Sequence, residues 1–278
     1  MQSATRTVRV PSLGVDFDVF EHDTIIGPAI ERGMWEEHET RLFRAHLFPG
    51  ARVLDLGANV GWFGVQAVMA GCEVHAFEPV PHIAGVCQRN LDRAMRVGSG
   101  RAVLHRCAAG SARGTAVIAL ARTNLGDNRV LDSGADRPAD MGAGERIEIE
   151  VDRVDDRVQG AFDVVKIDTQ GSEWHALQGM PRVLEASRKV ALLVEFWPYA
   201  LRGAQPAQLL EFLAAQGFTM GKATAAPYPM SPTRILKQAL ARDPVKGGLD
   251  LYGTRGAPFH VGGLGGRLRS IVRSLRED

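Results

Sequence analysis

The chain has 278 residues, of which 45% are hydrophobic and 23% charged, and its 33 basic and 32 acidic side chains leave a formal charge of +1. That balance gives no electrostatic footprint for nucleic acid, and the length suits one large domain with a full core. Cys72, Cys87 and Cys107 form neither a CxxC pair nor a Cys/His cluster, which argues against a disulfide framework and a zinc site and fits a reducing compartment.

Residues 1–6 lack the apolar core of an export signal, and no stretch reaches the roughly 18 apolar residues of a membrane span. We therefore expect a cytoplasmic protein with no membrane span. Residues 6–20 alternate loosely through Val8, Val10, Val15, Phe17 and Val19, as a short hairpin would. Residues 28–48 carry Ile30, Met34, Trp35, Leu42, Phe43 and Leu47 among polar side chains and predict one or two amphipathic helices ending at Pro49-Gly50. Residues 1–49 thus read as a hairpin and helical cap, either a lid or a packing appendage, before a main domain over 50–256.

From Ala51 strands and helices alternate, with strands over 52–56, 73–77 and 103–107 and helices over 62–70 and 83–97. Strands over 115–120 and 147–151 bracket a polar stretch over 122–146 that is too long for a passive turn. A strand over 162–168 ends in an acid and precedes a helix over 172–185. Residues 190–196 form a continuous apolar strand of the kind covered on both faces. A helix over 207–215 and strands from Phe218 and over 249–252 complete the domain, with 222–248 expected as an irregular loop. Residues 257–278 are a basic amphipathic tail, read as a helix docked by its apolar face or lying on a membrane or partner.

The first strand runs into Asp55-Leu56-Gly57-Ala58-Asn59-Val60-Gly61 and then into a helical pattern. Glycines there let backbone approach a ligand, and the helix start aims free N–H groups at it. A dinucleotide fingerprint would need glycine where Asn59 stands, although the acid about 20 residues on exists as Glu78. Its carboxylate can accept both ribose hydroxyls of any adenosine cofactor. Asp55 separates the readings, because an acid repels a diphosphate but attracts the sulfonium and ammonium of S-adenosylmethionine. Asp55, Gly57, Ala58, Asn59, Gly61, Glu78 and Pro79 are therefore assigned to the methyl donor, with a nicotinamide-dependent dehydrogenase as the competing reading.

Residues 53–64, Ala76-Phe77-Glu78-Pro79, 162–179 and Val194-Glu195-Phe196 resemble the FkbM family of S-adenosylmethionine-dependent methyltransferases. Most telling is Lys166-Ile167-Asp168-Thr169-Gln170-Gly171-Ser172-Glu173, similar to the family's Lys-Ile-Asp-x-Glu-Gly-x-Glu, followed by Leu177 and Gly179. The sequence departs from that signature at Gln170, where the family usually has glutamate. The resemblance covers residues 50–255. It implies a class I methyltransferase fold, an α/β Rossmann-like domain whose mostly parallel seven-stranded sheet has one antiparallel strand and helices on both faces. It also implies methylation of a hydroxyl on a small natural product or sugar. Cys107 and Ala108 fall where this fold lines the adenine.

Asp168 ends a central strand at the sheet edge where open α/β folds bind ligands, so it is the first candidate for activating the acceptor and for touching the cofactor. Glu173 and Glu195 stand behind it as further catalytic candidates, although Asp168 also suits a helix cap and Glu173 a first-turn acid. Asn124, Asn128, Trp197 and Tyr199 are the expected acceptor contacts. Four acids at strand ends raise a divalent metal, but Asp55 and Glu78 are already assigned to the cofactor, so no metal is assigned. The expected partner is a small-molecule acceptor and no nucleic acid. The alternatives are an N-methyltransferase, a metal-assisted O-methyltransferase and a cofactor-binding scaffold without activity.

Overall fold

The computed structural model describes residues 4–121, 123–131, 145–245 and 247–259. From residue 260 the basic tail expected over 257–278 lies outside the described residues, as do residues 132–144 of the stretch over 122–146.

The alternating N-terminal residues form the expected hairpin, β1 (Thr5–Val10) and β2 (Val15–Phe20), turned at Gly14 in left-handed backbone. It is clamped to the domain by Asp18, whose carboxylate takes Arg89 and Arg93 at 2.8 and 2.6 Å. Two short helices follow, α1 (Ile26–Glu31) and α2 (Glu37–Arg44), split at Gly33-Met34. Thr24 N–H reaches Thr123 O, and Arg41 reaches the carbonyls of Thr224 and Ala225, so this segment lies over the end of the domain.

The domain then runs β3 (Arg52–Leu56), α3 (Trp62–Met69), β4 (Glu73–Phe77), α4 (Pro81–Val97) and β5 (Arg101–His105). β5 sits two residues earlier than expected, because pairing with β4 starts at Arg101 opposite Glu73; Cys107 lies past its end. β6 (Ala108–Ala109), β7 (Gly114–Ala119), β8 (Arg129–Leu131) and β9 (Arg146–Asp152) make a separate four-stranded sheet, so part of the expected loop over 122–146 is strand. After α5 (Val154–Arg157) and β10 (Val164–Ile167), the single helix expected over 172–185 is two, α6 (Glu173–Gln178) and α7 (Pro181–Ala186). Pro181 opens the second, and Gly179 between them lies so close to Gly110 that a Cβ would stand 2.0 Å from its carbonyl oxygen. The chain closes with β11 (Val190–Phe196), α8 (Pro206–Ala215), β12 (Thr219–Lys222), α9 (Pro232–Leu240) and β13 (Leu249–Arg255). α9 corrects the irregular reading of 222–248: Ser231 caps it by accepting from Arg234 N–H, and Pro232 is its first residue.

The large sheet has the order β12-β13-β11-β10-β3-β4-β5, parallel throughout except for β13. Chain order reverses between β3 and β10, which makes that edge the place where such sheets bind ligands. The central strands are buried on both faces: Val53 and Val164 join one apolar cluster, Leu54, Leu56, Val165 and Ile167 the other. Asp55 and Lys166 break the pattern, and they are register partners on the same face.

Candidate active site

The turn after β3 is held against the ends of its neighbours. Gly57 and Ala58 N–H both reach Phe77 O, at 3.0 and 2.9 Å, and Asp168 N–H reaches Leu56 O. Gly57 has φ +88 and touches the Asp168 backbone. Asn59 takes φ +50, a conformation asparagine tolerates, and ties the turn to the loop before β8 by donating from Nδ2 to Leu125 O at 2.8 Å.

Glu78 closes this turn from β4. Its Oε2 accepts from Asn59 N–H and its Oε1 from Val80 N–H, each at 2.9 Å, so both oxygens are pinned with lone pairs to spare. Burial pushes this carboxyl up to about 7 despite the two amides. The cavity it lines holds about 550 Å³ of empty space, with Gly57, Asn59, Pro79, Cys107 and Ala108 in its wall. Phe77, Val80, Ile118 and Val130 give an apolar end of the kind an adenine ring fills, and Asp168, Thr169, Gln170 and Ser172 give a polar one. Two acids and no lysine or arginine line it among the described residues, which suits a cationic, phosphate-free cofactor and opposes a diphosphate.

Three of the expected cofactor and catalytic residues, and the expected acceptor contact Tyr199, are placed differently. Asp55 is 1% exposed and lines none of the cavities at this edge: it lies under the turn against the Gly64 backbone, whose N–H favours its charged form. Burial, offset by Lys166, brings its carboxyl up to about 6. Gly61 has φ +91 and packs against Cys87 on α4, serving the helix start rather than the cavity. Glu173 is buried and its Oε1 accepts from Thr169 N–H, Thr169 Oγ1 and Gly171 N–H, so it shapes the turn after β10. Tyr199 is half exposed, lines neither cavity and donates its hydroxyl to Leu240 O.

Asp168 stands where spaces meet. It lines the cofactor cavity, a second pocket under Trp35, Glu36 and Lys166, and a wider cleft of about 780 Å³. Its Oδ2 takes Lys166 Nζ and its Oδ1 takes Gln170 Nε2, both at 2.8 Å. Lys166 is buried over the Phe63 ring; burial would lower its pKa, but Asp168, Glu36 and Asp55 outweigh that and hold it charged. The wide cleft also carries Trp35, Glu36, Asn124, Glu195, Trp197 and Asp250. Trp197 is steadied by Arg129, whose guanidinium lies 4.3 Å over its ring. Asn128 lines the cofactor cavity instead, with its side chain bonded to Ala121 N–H and Leu125 O. Burial pushes Asp250 up to about 7.

Sequence reasoning missed Trp35, Glu36, Lys166 and Asp250. Lys166 sits inside the signature that singled out Asp168, and a lysine in an otherwise apolar strand was a readable signal. Trp35 and Glu36 carry no such mark, except that Glu36 takes left-handed backbone, φ +44, which strain often marks at functional sites. No group of three or more His, Cys, Asp or Glu among the described residues is arranged to hold a metal ion. No helix among them is long and apolar enough to cross a membrane.

The sheet order, the reversal at β3 and β10, and the phosphate-averse cavity between them define a class I S-adenosylmethionine-dependent methyltransferase. The Methyltransferase FkbM domain matches residues 55–220, and the chain belongs to this family, with S-adenosylmethionine as its cofactor. Among solved structures it is similar to an FkbM methyltransferase from Methylobacillus flagellatus KT, at 18% identity and a TM-score of 0.46 over 73% of this chain and 43% of that one. It is also similar to the magnesium protoporphyrin IX methyltransferase ChlM of Synechocystis PCC 6803 with bound SAM, at 14% identity and a TM-score of 0.45 over 84% and 85% of the two chains. A TehB-like methyltransferase from Corynebacterium glutamicum aligns at 14% identity and a TM-score of 0.43 over 84% and 94%. The chain thus spans less than half of the M. flagellatus protein. A search of curated proteins finds no match.

Proposed function

We propose that this enzyme transfers the methyl group to a hydroxyl of a small polar acceptor. The observation that carries the reading is Asp168, which borders both the cofactor cavity and the wide cleft, so a group bound in the cleft meets the cofactor beside it. The cofactor supplies an electrophilic methyl on a sulfonium; the protein must orient an oxygen toward it and receive the proton. Glu78 holds the ribose hydroxyls and the Gly57–Asn59 turn the amino-acid end. Trp35 and Trp197 wall the acceptor, with Asn124 supplying hydrogen bonds, and the helical cap is part of the site.

A second reading is methylation of an amine. It is favoured by the cleft's acids, Glu36, Asp168, Glu195 and Asp250, with Lys166 beneath them on the buried side among the described residues. Mass spectrometry of extracts incubated with the enzyme and isotopically labelled methyl donor tests both. A product gaining one labelled methyl on oxygen is expected. A labelled N-methyl product selects the second reading, and binding of NAD without S-adenosylmethionine would overturn both.

A further inference from the structure

Gln170 stands where the family signature has glutamate, and its surroundings show what an amide does there. Its Nε2 donates to Asp168 Oδ1 at 2.8 Å and to Glu195 Oε2 at 3.0 Å, so one NH2 group serves two carboxyl groups. It adopts left-handed backbone, φ +50, in doing so. With Lys166 on Oδ2, Asp168 has a donor on each oxygen, one of them a buried ammonium. Both of its oxygens are thus engaged by side chains of the protein, one of them through a charge-assisted bond. Glu195 takes a single donor, on Oε2, and its Oε1 meets none among the described residues while the side chain lines the cleft. Because the amide nitrogen only donates, a proton on Glu195 belongs on Oε1.

Resting on the O-methylation reading, we propose that Gln170 is a positioning residue that divides the two acids by role, with Asp168 held by donors on both oxygens and Glu195 Oε1 the atom that receives the acceptor's proton. The proton leaves the acceptor oxygen as that oxygen bonds the methyl carbon and the C–S electron pair returns to sulfur. The groups facing Glu195 are Lys166 on β10 and Asp168 just past its end, Glu173 on α6 and Asp250 on β13, with Glu36 and Asp127 across the cleft. Burial, then Asp168, Glu173 and Asp250, push its carboxyl well above the ordinary range against the pull of Lys166. That direction suits a group that must take a proton near neutral pH. A glutamate at position 170 would donate only when protonated and would leave three acids to share protons.

The test needs no acceptor. S-adenosylmethionine carries a sulfonium charge that S-adenosylhomocysteine lacks, so the protons released on binding each, measured by calorimetry in buffers of different ionisation enthalpy, report carboxyls near the sulfur. The wild type is expected to release more protons with the first ligand than the second at pH 7. Glu195→Gln should abolish that difference while binding S-adenosylhomocysteine within about threefold of wild type, as a substitution outside the cofactor cavity should. Gln170→Met should move the pH of greatest release upward by roughly one unit, since Glu195 loses its donor. A merely structural Gln170 would weaken both ligands alike and leave the pH of release unmoved; that outcome, or undiminished release in Glu195→Gln, overturns the proposal. Failure of the wild type to bind S-adenosylmethionine would instead overturn the methyltransferase reading beneath it.

Discussion

Gly57 and Asp168 meet backbone to backbone: a Cβ on Gly57 would stand 1.8 Å from the Asp168 carbonyl oxygen. Two strand ends 111 positions apart, counted from residue 57 to 168, are thereby locked into one wall of the cofactor cavity. Gly57→Ala meets both the left-handed backbone and this contact, and should cost roughly 2–5 kcal/mol. Urea unfolding should show the loss, and the Kd for S-adenosylmethionine should rise more than tenfold in the fraction that folds. A variant as stable as wild type would show that the contact relaxes freely.

Glu78 should make stability depend on pH. Its folded carboxyl sits at about 7 against an ordinary 4.5, so the folded state binds the proton more tightly than the unfolded chain does. The stabilisation is fully present below the ordinary value and is lost as pH rises through about 7, by roughly 3 kcal/mol in all. Glu78→Gln should flatten the melting temperature between pH 5 and 8. The same variant should weaken S-adenosylmethionine by roughly 10- to 100-fold, the scale of hydrogen bonds to a charged group. An unchanged pH slope would remove Glu78 as its source.

Lys166 is the counter-charge for Asp168, Glu36 and Asp55. Lys166→Met keeps the stem over Phe63 but strands those acids, and should destabilise by roughly 3–5 kcal/mol. The neighbouring carboxyls then retain protons more readily, so the variant should be less impaired at pH 5 than at pH 8. Denaturant midpoints at the two pH values give the comparison, and equal impairment would contradict the charge argument.

Glu36 combines strain with partial burial, since its left-handed backbone suits glycine and desolvation pushes its carboxyl up against the pull of Lys166. Glu36→Gly should raise stability by roughly 0.5–1 kcal/mol. If the cap belongs to the site, labelled methyl transfer should fall at the same time, the exchange expected when strain is kept for function. A more stable variant with full activity would reduce the cap to packing.

The strand, turn and helix from Arg52 to Met69 and the acids Glu78, Asp168 and Glu195 were legible because each carries a local signal. Apolar runs mark buried strands, glycine and asparagine mark left-handed turns, and a charge ending an apolar strand must be satisfied or used. The break at Gly179 to Pro181 and the helix after Ser231 were also written locally; the first was misread because hydrophobic spacing outweighed the proline, the second because the Pro and Gly content of 222–248 outweighed the Ser231 cap.

What each acid does was another matter. The sequence by itself determined the fold class, the cofactor turn and the family, since these rest on patterns within short segments. Only the tertiary structure decided that Asp55 lies beneath the turn, that Glu173 shapes the backbone, and that Gln170 joins Asp168 to Glu195. It also brought Trp35 and Glu36 over Lys166, across 131 positions between residues 35 and 166. The reason is physical: a side chain's chemistry is set by its neighbours' charge and by its burial, and those neighbours arrive from strands and loops far apart in the chain.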